Sequence, residues 1–224
     1  MSLTKTKLCN LALSKLGSER ILLSDFDTDT GVLKDTLDLH YTPTLEELAR
    51  MHRWNCCKAR EKLTNSTTTS PKAPLFEYKE QHNLPSDYIR ATYVTNSDQT
   101  YEYGKPIVDY VIEGGKLLSH HKEIFLCYIK EPSPSEMDSM FAQAFVTLLA
   151  SRIATTVTGD RGLSLNLLEE FNRVVMPEAR RVNAMEKREA PEIDSEWLDS
   201  TYTSGSSFSN SYPPFSQTSY GSFI

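Results

Sequence analysis

Hydrophobic positions change period twice along this chain. Within residues 4–16, Leu8, Leu11, Ala12 and Leu16 recur at three- and four-residue steps and Gly17 follows as a stop, so the spacing predicts a helix. An Asp- and Ser-rich run, SERILLSDFDTDTG, separates it from a second helix expected to start near Thr30, with Asp27 or Asp29 as N-cap. Leu33, Leu37, His40 or Tyr41, Leu45, Leu48 and His52 trace one face of that helix. Pro43 lies inside the pattern, where it lacks a backbone donor and crowds the preceding turn, so a kink or a split into two helices is expected. Trp54 should anchor the turn that follows. Residues 54–63 read either as a short helix with Ala59 and Leu63 inward or as extended chain.

The period then shortens. After the polar stretch TNSTTTSPKAP, the segments LFEYKE, DYIRATYVT, QTYEYG, PIVDYVIEGG, KLLSHH and EIFLCYIKE are short and rich in Tyr, Ile, Val and Phe. Pro, Gly, Asn and Asp bound them, which is the signature of a small antiparallel sheet. Gly114-Gly115 between Glu113 and Lys116 is the strongest hairpin signal, because both positions accept positive φ.

Helical spacing returns after Pro132 and Pro134. Ser135 and Asp138 have capping-box spacing. Phe141, Ala144, Phe145, Leu148, Leu149, Ile153 and Val157 form an apolar face, with Ala142, Ala150 and Ala154 small enough for close helix packing, and Gly159 ends the run. A last helix is expected from near Ser164, kinked at Pro177. Its Arg173, Arg180, Arg181, Lys187 and Arg188 interleave with Glu169, Glu170, Glu178, Glu186 and Glu189, as on a solvated face with i,i+4 pairs or on a subunit contact.

The pattern therefore predicts an α+β, mainly helical chain. Residues 1–74 and 132–190 form a kinked helical bundle, residues 75–131 an inserted small antiparallel β-sheet, and residues 191–224 an extended C-terminal arm. The final 25 residues, 200–224, carry no charged side chain. They place Tyr202, Phe208, Tyr212, Phe215, Tyr220 and Phe223 on a Ser/Thr/Gly background. Such a segment has too little apolar mass to bury itself and is expected to order on a partner. Tyr and Phe offer large contact area at small rotamer cost, and the lack of charge avoids burying ions.

Charge narrows the partners. With 24 basic and 30 acidic residues the formal net charge is −6, which disfavours a protein that grips nucleic acid by neutralising phosphates. A mildly acidic wall that DNA slides past remains compatible. The polar start MSLTKTKLCN predicts no signal peptide, and no apolar run is expected to approach the roughly eighteen residues that span a bilayer. Cys9, Cys56, Cys57 and Cys127 show no ligand spacing and read as free thiols in a reducing cytosol.

Candidate chemistry is sparse. GxGxxG, P-loop, HExxH and GxSxG motifs are missing from the sequence. His120-His121 before Glu123 reads as a surface pair, since neighbours in a strand point to opposite faces. His82 is expected in a loop, within reach of Asp87. Glu46-Glu47 and the Asp25/Asp27/Asp29 cluster are the candidate paired carboxylates for glycoside hydrolysis. The same aspartates lack the EF-hand glycine and terminal glutamate. No catalytic residue, metal site or cofactor is assigned.

Four segments occur in a telling order: LCNLALSKLGSERI (8–21), HYTPTLEELARMHRWNCCKAREKL (40–63), FEYKEQHNLPSDYIRATYV (76–94) and LCYIKEPSPSEMDSMFAQAFVTLLASRIATTVTGD (126–160). This chain resembles the tail tubular protein A family, the head-to-tail adaptors of short-tailed phages, over residues 4–188. Cys56-Cys57 departs from the family's usual aromatic and alanine after the tryptophan. The resemblance implies a ring of twelve identical subunits in the virion neck, assembled in the host cytoplasm, between the portal protein and a tubular protein B-like tail nozzle. Packaged DNA would pass through without specific binding, and no membrane is involved. It also implies a C-terminal segment reaching the portal, the role expected of the six arm aromatics. A tail-associated cell-wall glycosidase, or a connector or terminator of a long-tailed phage, are the alternatives.

Overall fold

A computed structural model describes residues 3–17, 23–64, 74, 76–96 and 108–186. The fold is α+β and mainly helical, with two small antiparallel sheets. Helix α1 spans Lys5–Lys15, capped by the Thr4 hydroxyl on the Lys7 N–H, and buries Leu8, Cys9, Ala12 and Leu13, while Leu11, expected on that face, is exposed because it lies about 100° around the helix from Ala12. Helix α2 (Val32–Met51) begins one turn later than Asp29 and has Gly31 at its N-cap, so neither Asp27 nor Asp29 caps it. Asp29 instead closes its own turn, accepting from the Ser24 N–H and hydroxyl at 2.7 Å each.

Pro43 does not divide α2, which runs unbroken for 20 residues. The physical reason is position. The carbonyl that Pro43 leaves without a donor belongs to Leu39, and both residues lie on the solvent side, where water can satisfy it. On the opposite side Leu37, Tyr41, Leu45 and Leu48 are buried.

Helix α3 (Ser139–Thr158) is the centre of the helical part. Its cap is Asp138, whose carboxylate accepts from the N–H groups of Met140 and Phe141, so the expected start at Ser135 is three residues early. The upstream turn is closed separately by Glu136, which accepts from the N–H and hydroxyl of Ser133. Three sides of α3 meet other helices. Phe145 packs edge-on against Tyr41 of α2 at 5.0 Å, and Ala142 and Val146 border α1. Ser151 presents its carbonyl to the Ser164 hydroxyl of α4 (Arg161–Glu170) at 2.7 Å. By length and composition α3 could cross a membrane, which corrects the expectation that no segment comes close. Its Ser, Thr and Gln residues masked that signal in the sequence, and 67% of the apolar window is buried inside the chain.

Gly159 ends α3 in the left-handed region at φ 72°, and Asp160 caps α4 on the N–H groups of Gly162 and Leu163. The kink expected at Pro177 takes a different form. A π-helical turn, Phe171–Val175, precedes α5 (Met176–Met185), and the Met176 N–H donates five residues back to Phe171. The widened turn re-phases the helix so that Phe171, Val175, Met176 and Ala179 all stay buried.

Of residues 54–64, those from Lys58 on are extended, after a turn in which the Cys57 N–H donates to the Trp54 carbonyl. Strand β1 (Lys58–Thr64) pairs antiparallel with β6 (Glu123–Lys130), and β6 pairs on its other edge with β3 (Tyr88–Thr95). A second sheet holds β2 (Glu80–Asn83), β5 (Lys116–Ser119) and β4 (Tyr110–Glu113) in the order β2-β5-β4. The single expected sheet is thus two, and the first draws a strand from before residue 75. Gly114 and Gly115, at φ 54° and 74°, form the predicted hairpin turn. Of β2 only Glu80 fell in a segment with a strand expectation. LFEYKE supplies only its last residue to a strand, and QTYEYG lies outside the described residues.

Ile129 of β6 packs into the helical core with Ile89 and Cys57, while Ile124, Leu126 and Tyr128 face the core of the β part. Alternation along one strand therefore joins the two cores.

Candidate assembly surfaces

The six aromatics expected to dock on the portal, Tyr202, Phe208, Tyr212, Phe215, Tyr220 and Phe223, lie outside the described residues. The described residues end at 186, just after α5. At the end of α5, buried Asn183 accepts the Asn55 N–H on its side-chain oxygen and the Asn55 amide on its carbonyl, both at 2.8 Å. Its own amide donates to His52 Nε2 at 3.2 Å and to the Arg53 carbonyl at 3.3 Å. Burial and the positive charges of Arg180, Arg90 and Arg53 hold His52 below the ordinary imidazole range.

The candidate carboxylates do not converge. Arg152 Nη2 donates to both oxygens of Glu47, at 2.7 and 2.8 Å. Glu46, one residue away, turns about 100° around the helix to the solvent side. Asp25 accepts from the Thr6 and Thr28 hydroxyls and the Asp27 N–H, so the aspartate cluster organises its own loop.

The histidines part in the same way. His120 is exposed and stacks on Tyr78 at 5.1 Å, whereas the backbone carbonyl of His121 accepts from His82 Nε2 at 2.9 Å. His82 is fully buried in β2, not in a loop, and its partners are His121 and Ser119 rather than Asp87. Because a carbonyl only accepts, the His82 proton is on Nε2, which leaves buried Nδ1 without a partner. Asp87 accepts from the Tyr128 hydroxyl at 3.0 Å, and its carbonyl takes the Glu131 N–H. The LPSD turn is thereby fastened to β6. Burial, then the Asp87 hydrogen bond, push the Tyr128 phenol up.

Among the described residues, no group of three or more His, Cys, Asp or Glu is arranged to hold a metal ion. The four cysteines are free thiols; Cys9, Cys57 and Cys127 are buried and Cys56 half-buried. Burial raises the Cys9 thiol to about 12.

Two concave surfaces stand out. A groove of about 580 Å³ between α1 and the start of α3 is lined by Leu3, Leu11, Met137, Ala142 and Val146, with serine hydroxyls at its rim. A second, of about 410 Å³, lies on the β part beside Phe76, Tyr78 and Leu118. Glu77, between those two aromatics, takes the left-handed φ of 72°, an uncommon conformation for a side chain with a Cβ.

Of the charged residues expected to pair at i,i+4, Glu169 pairs with Arg173, while Glu178 pairs at i,i+3 with Arg181; Lys187, Arg188 and Glu189 lie outside the described residues. The sequence reading missed the Asn183–Asn55 joint and the His82 knot. Both depend on residues far apart in the chain, and neither leaves a periodic trace. No protein-family model matches the chain, and no curated protein matches it.

Proposed function

We propose that this chain is a ring subunit of a head-to-tail adaptor in a short-tailed phage, joining portal to tail nozzle around the DNA channel. The observation that carries the reading is where the segments of the resemblance fall. CNLALSKLG forms α1 and its terminal turn, with Gly17 at φ 74°. The Trp54 segment makes the corner between α2 and β1, with Trp54 buried and its Nε1–H donating to the Leu48 carbonyl at 2.8 Å. LPSD makes the turn fastened by Asp87 and Tyr128. The first packs in the helical core, the second joins the helical and β parts, and the third fastens a turn within the β part.

In sequence the arm follows α5, whose last turn is pinned by Asn183. An uncharged, aromatic segment suits docking on another protein, because its ordering entropy is lost only when the partner is present. Clamping of Glu47 by Arg152, with Glu46 turned away, lends the hydrolase alternative no support.

Co-sedimentation of the chain with its portal protein tests the reading. The full chain is expected to pellet with the portal, and a chain ending at residue 199 to stay in the supernatant with its thermal melt unchanged. A full chain that ignores the portal contradicts the proposal.

A further inference from the structure

Two thiols share the corner between α2 and β1. The sulfurs of Cys56 and Cys57 lie 3.8 Å apart, in contact. They differ in reach, since Cys56 is half-buried and Cys57 is fully buried in the helical core. A soluble reagent therefore meets Cys56 first. The hydrogen bond with Cys56 and then burial push the Cys57 thiol up, and the charges of Asp138 and Glu136 add to the effect. Cys57 thus stays protonated beside the Cys56 sulfur.

The backbone around the pair is fixed. Cys57 donates its N–H to the Trp54 carbonyl at 3.3 Å and accepts the Lys130 N–H at 2.7 Å. The Lys58 N–H donates to the Asn55 carbonyl at 3.2 Å. Asn55 is itself held by Asn183, and Lys58 opens β1 opposite Ile129. The two sulfurs are presented side by side on a turn clamped at both ends.

We propose that Cys56 and Cys57 are a reversible dithiol–disulfide pair whose substrates are small soluble disulfides, with Cys56 the attacking thiol and Cys57 the resolving one. An accessible thiol next to a second thiol is the arrangement of redox-sensing cysteines, and disulfides of a reducing compartment are mostly transient. The Cys56 thiolate attacks one sulfur of the small disulfide, keeps that half as a mixed disulfide and expels the other half as thiolate. The Cys57 sulfur then attacks the Cys56 sulfur and expels the bound half, which leaves as a thiol with the Cys57 proton. Two protein thiols are oxidised to one disulfide, and the small disulfide is reduced to two thiols.

The ring so formed is strained. Adjacent Cα atoms across a trans peptide stand about 3.8 Å apart, below the roughly 4.4–6.8 Å of ordinary disulfides. The sulfurs must close from 3.8 Å to about 2.05 Å on a turn that cannot easily follow. Strain makes the bond more oxidising, so excess thiol reopens it. The pair is open where small thiols are reduced and closes where they are oxidised. Nothing in this exchange depends on the adaptor reading.

The test treats the reduced, dilute full chain with dithio-bis-nitrobenzoate, a chromogenic disulfide. One chromophore should be released fast and a second more slowly. The product should carry no adduct, and mass spectrometry should find the peptide holding both cysteines lighter by two hydrogens. Oxidised glutathione should give the same product, and excess reduced glutathione should return both thiols. Cys57→Ser should keep a stable adduct on Cys56, and Cys56→Ser should lose the fast release.

A wild type that keeps the adduct on Cys56, that links Cys56 to Cys9, to Cys127 or to a second chain, or whose Cys56 does not react overturns the proposal. So does a ring that excess reduced glutathione leaves closed. The wild-type peptide map decides the matter even where a serine variant fails to fold.

Discussion

Asn183 and Asn55 exchange two hydrogen bonds of 2.8 Å across 128 residues of sequence, side-chain oxygen to backbone N–H and backbone carbonyl to side-chain amide. The pairing locks the last turn of α5 to the corner between α2 and β1.

Asn183→Ala should destabilise the domain by about 1–3 kcal/mol, since it removes a buried hub and leaves the Asn55 N–H without its acceptor. Urea unfolding monitored by circular dichroism measures the loss. Asn183→Asp keeps the acceptor and loses the donor to His52 and Arg53, so its cost should be distinguishable from that of alanine.

The same hub makes stability depend on pH. His52 accepts from Asn183 through Nε2, which requires the neutral ring, and its folded pKa lies below the ordinary 6.5. The folded state thus binds this proton less readily than the unfolded chain does. The contribution is fully present above about pH 6.5 and is lost as pH falls through the lower folded value. Thermal melts should decline on acidification below pH 6.5, and His52→Gln should flatten that decline. A second loss belongs to Glu136, held at about 2 by Lys130 and Ser133, and develops only below the ordinary carboxyl value of 4.5.

Trp54 is the packing anchor of the same corner. It is fully buried, edge-on to Phe141 at 5.2 Å and to His52 at 5.0 Å. Trp54→Ala should cost about 3–5 kcal/mol, and Trp54→Phe less, through the lost hydrogen bond to Leu48. Equal losses for the two variants would count against the packing role.

Much of this was legible from period alone. Leu8, Ala12 and Leu16 as buried in and after α1, the face of α3 from Phe141 to Ile153, the Gly114-Gly115 hairpin and the buried Trp54 follow from local spacing and turn chemistry, whereas Leu11 is exposed and Cys9 and Leu13 are buried instead. Strand β2 was not legible because EQHN is entirely polar, and only His82 is buried. The split into two sheets, the Asp87–Tyr128 and Asn183–Asn55 bonds, and the π-helical turn before Pro177 arise from long-range pairing or from packing that overrides local preference. The carboxylates looked adjacent in sequence, but helix geometry separates Glu46 from Glu47. The arm aromatics were legible as composition only.

Thiol reactivity offers an independent check on the core. Cys9, Cys57 and Cys127 are buried, and burial holds Cys9 protonated at neutral pH. Titration with a chromogenic disulfide should modify at most Cys56 quickly in the native protein and all four thiols in denaturant. Rapid reaction of three or four native thiols would contradict the packing described.

Cryo-electron microscopy of intact particles of the encoding phage tests the central claim most directly. The account predicts twelve copies of this chain in a ring between portal and nozzle, with the DNA channel on the axis and the aromatic arms against the portal. A neck that lacks this chain, or holds it without a ring, would contradict it.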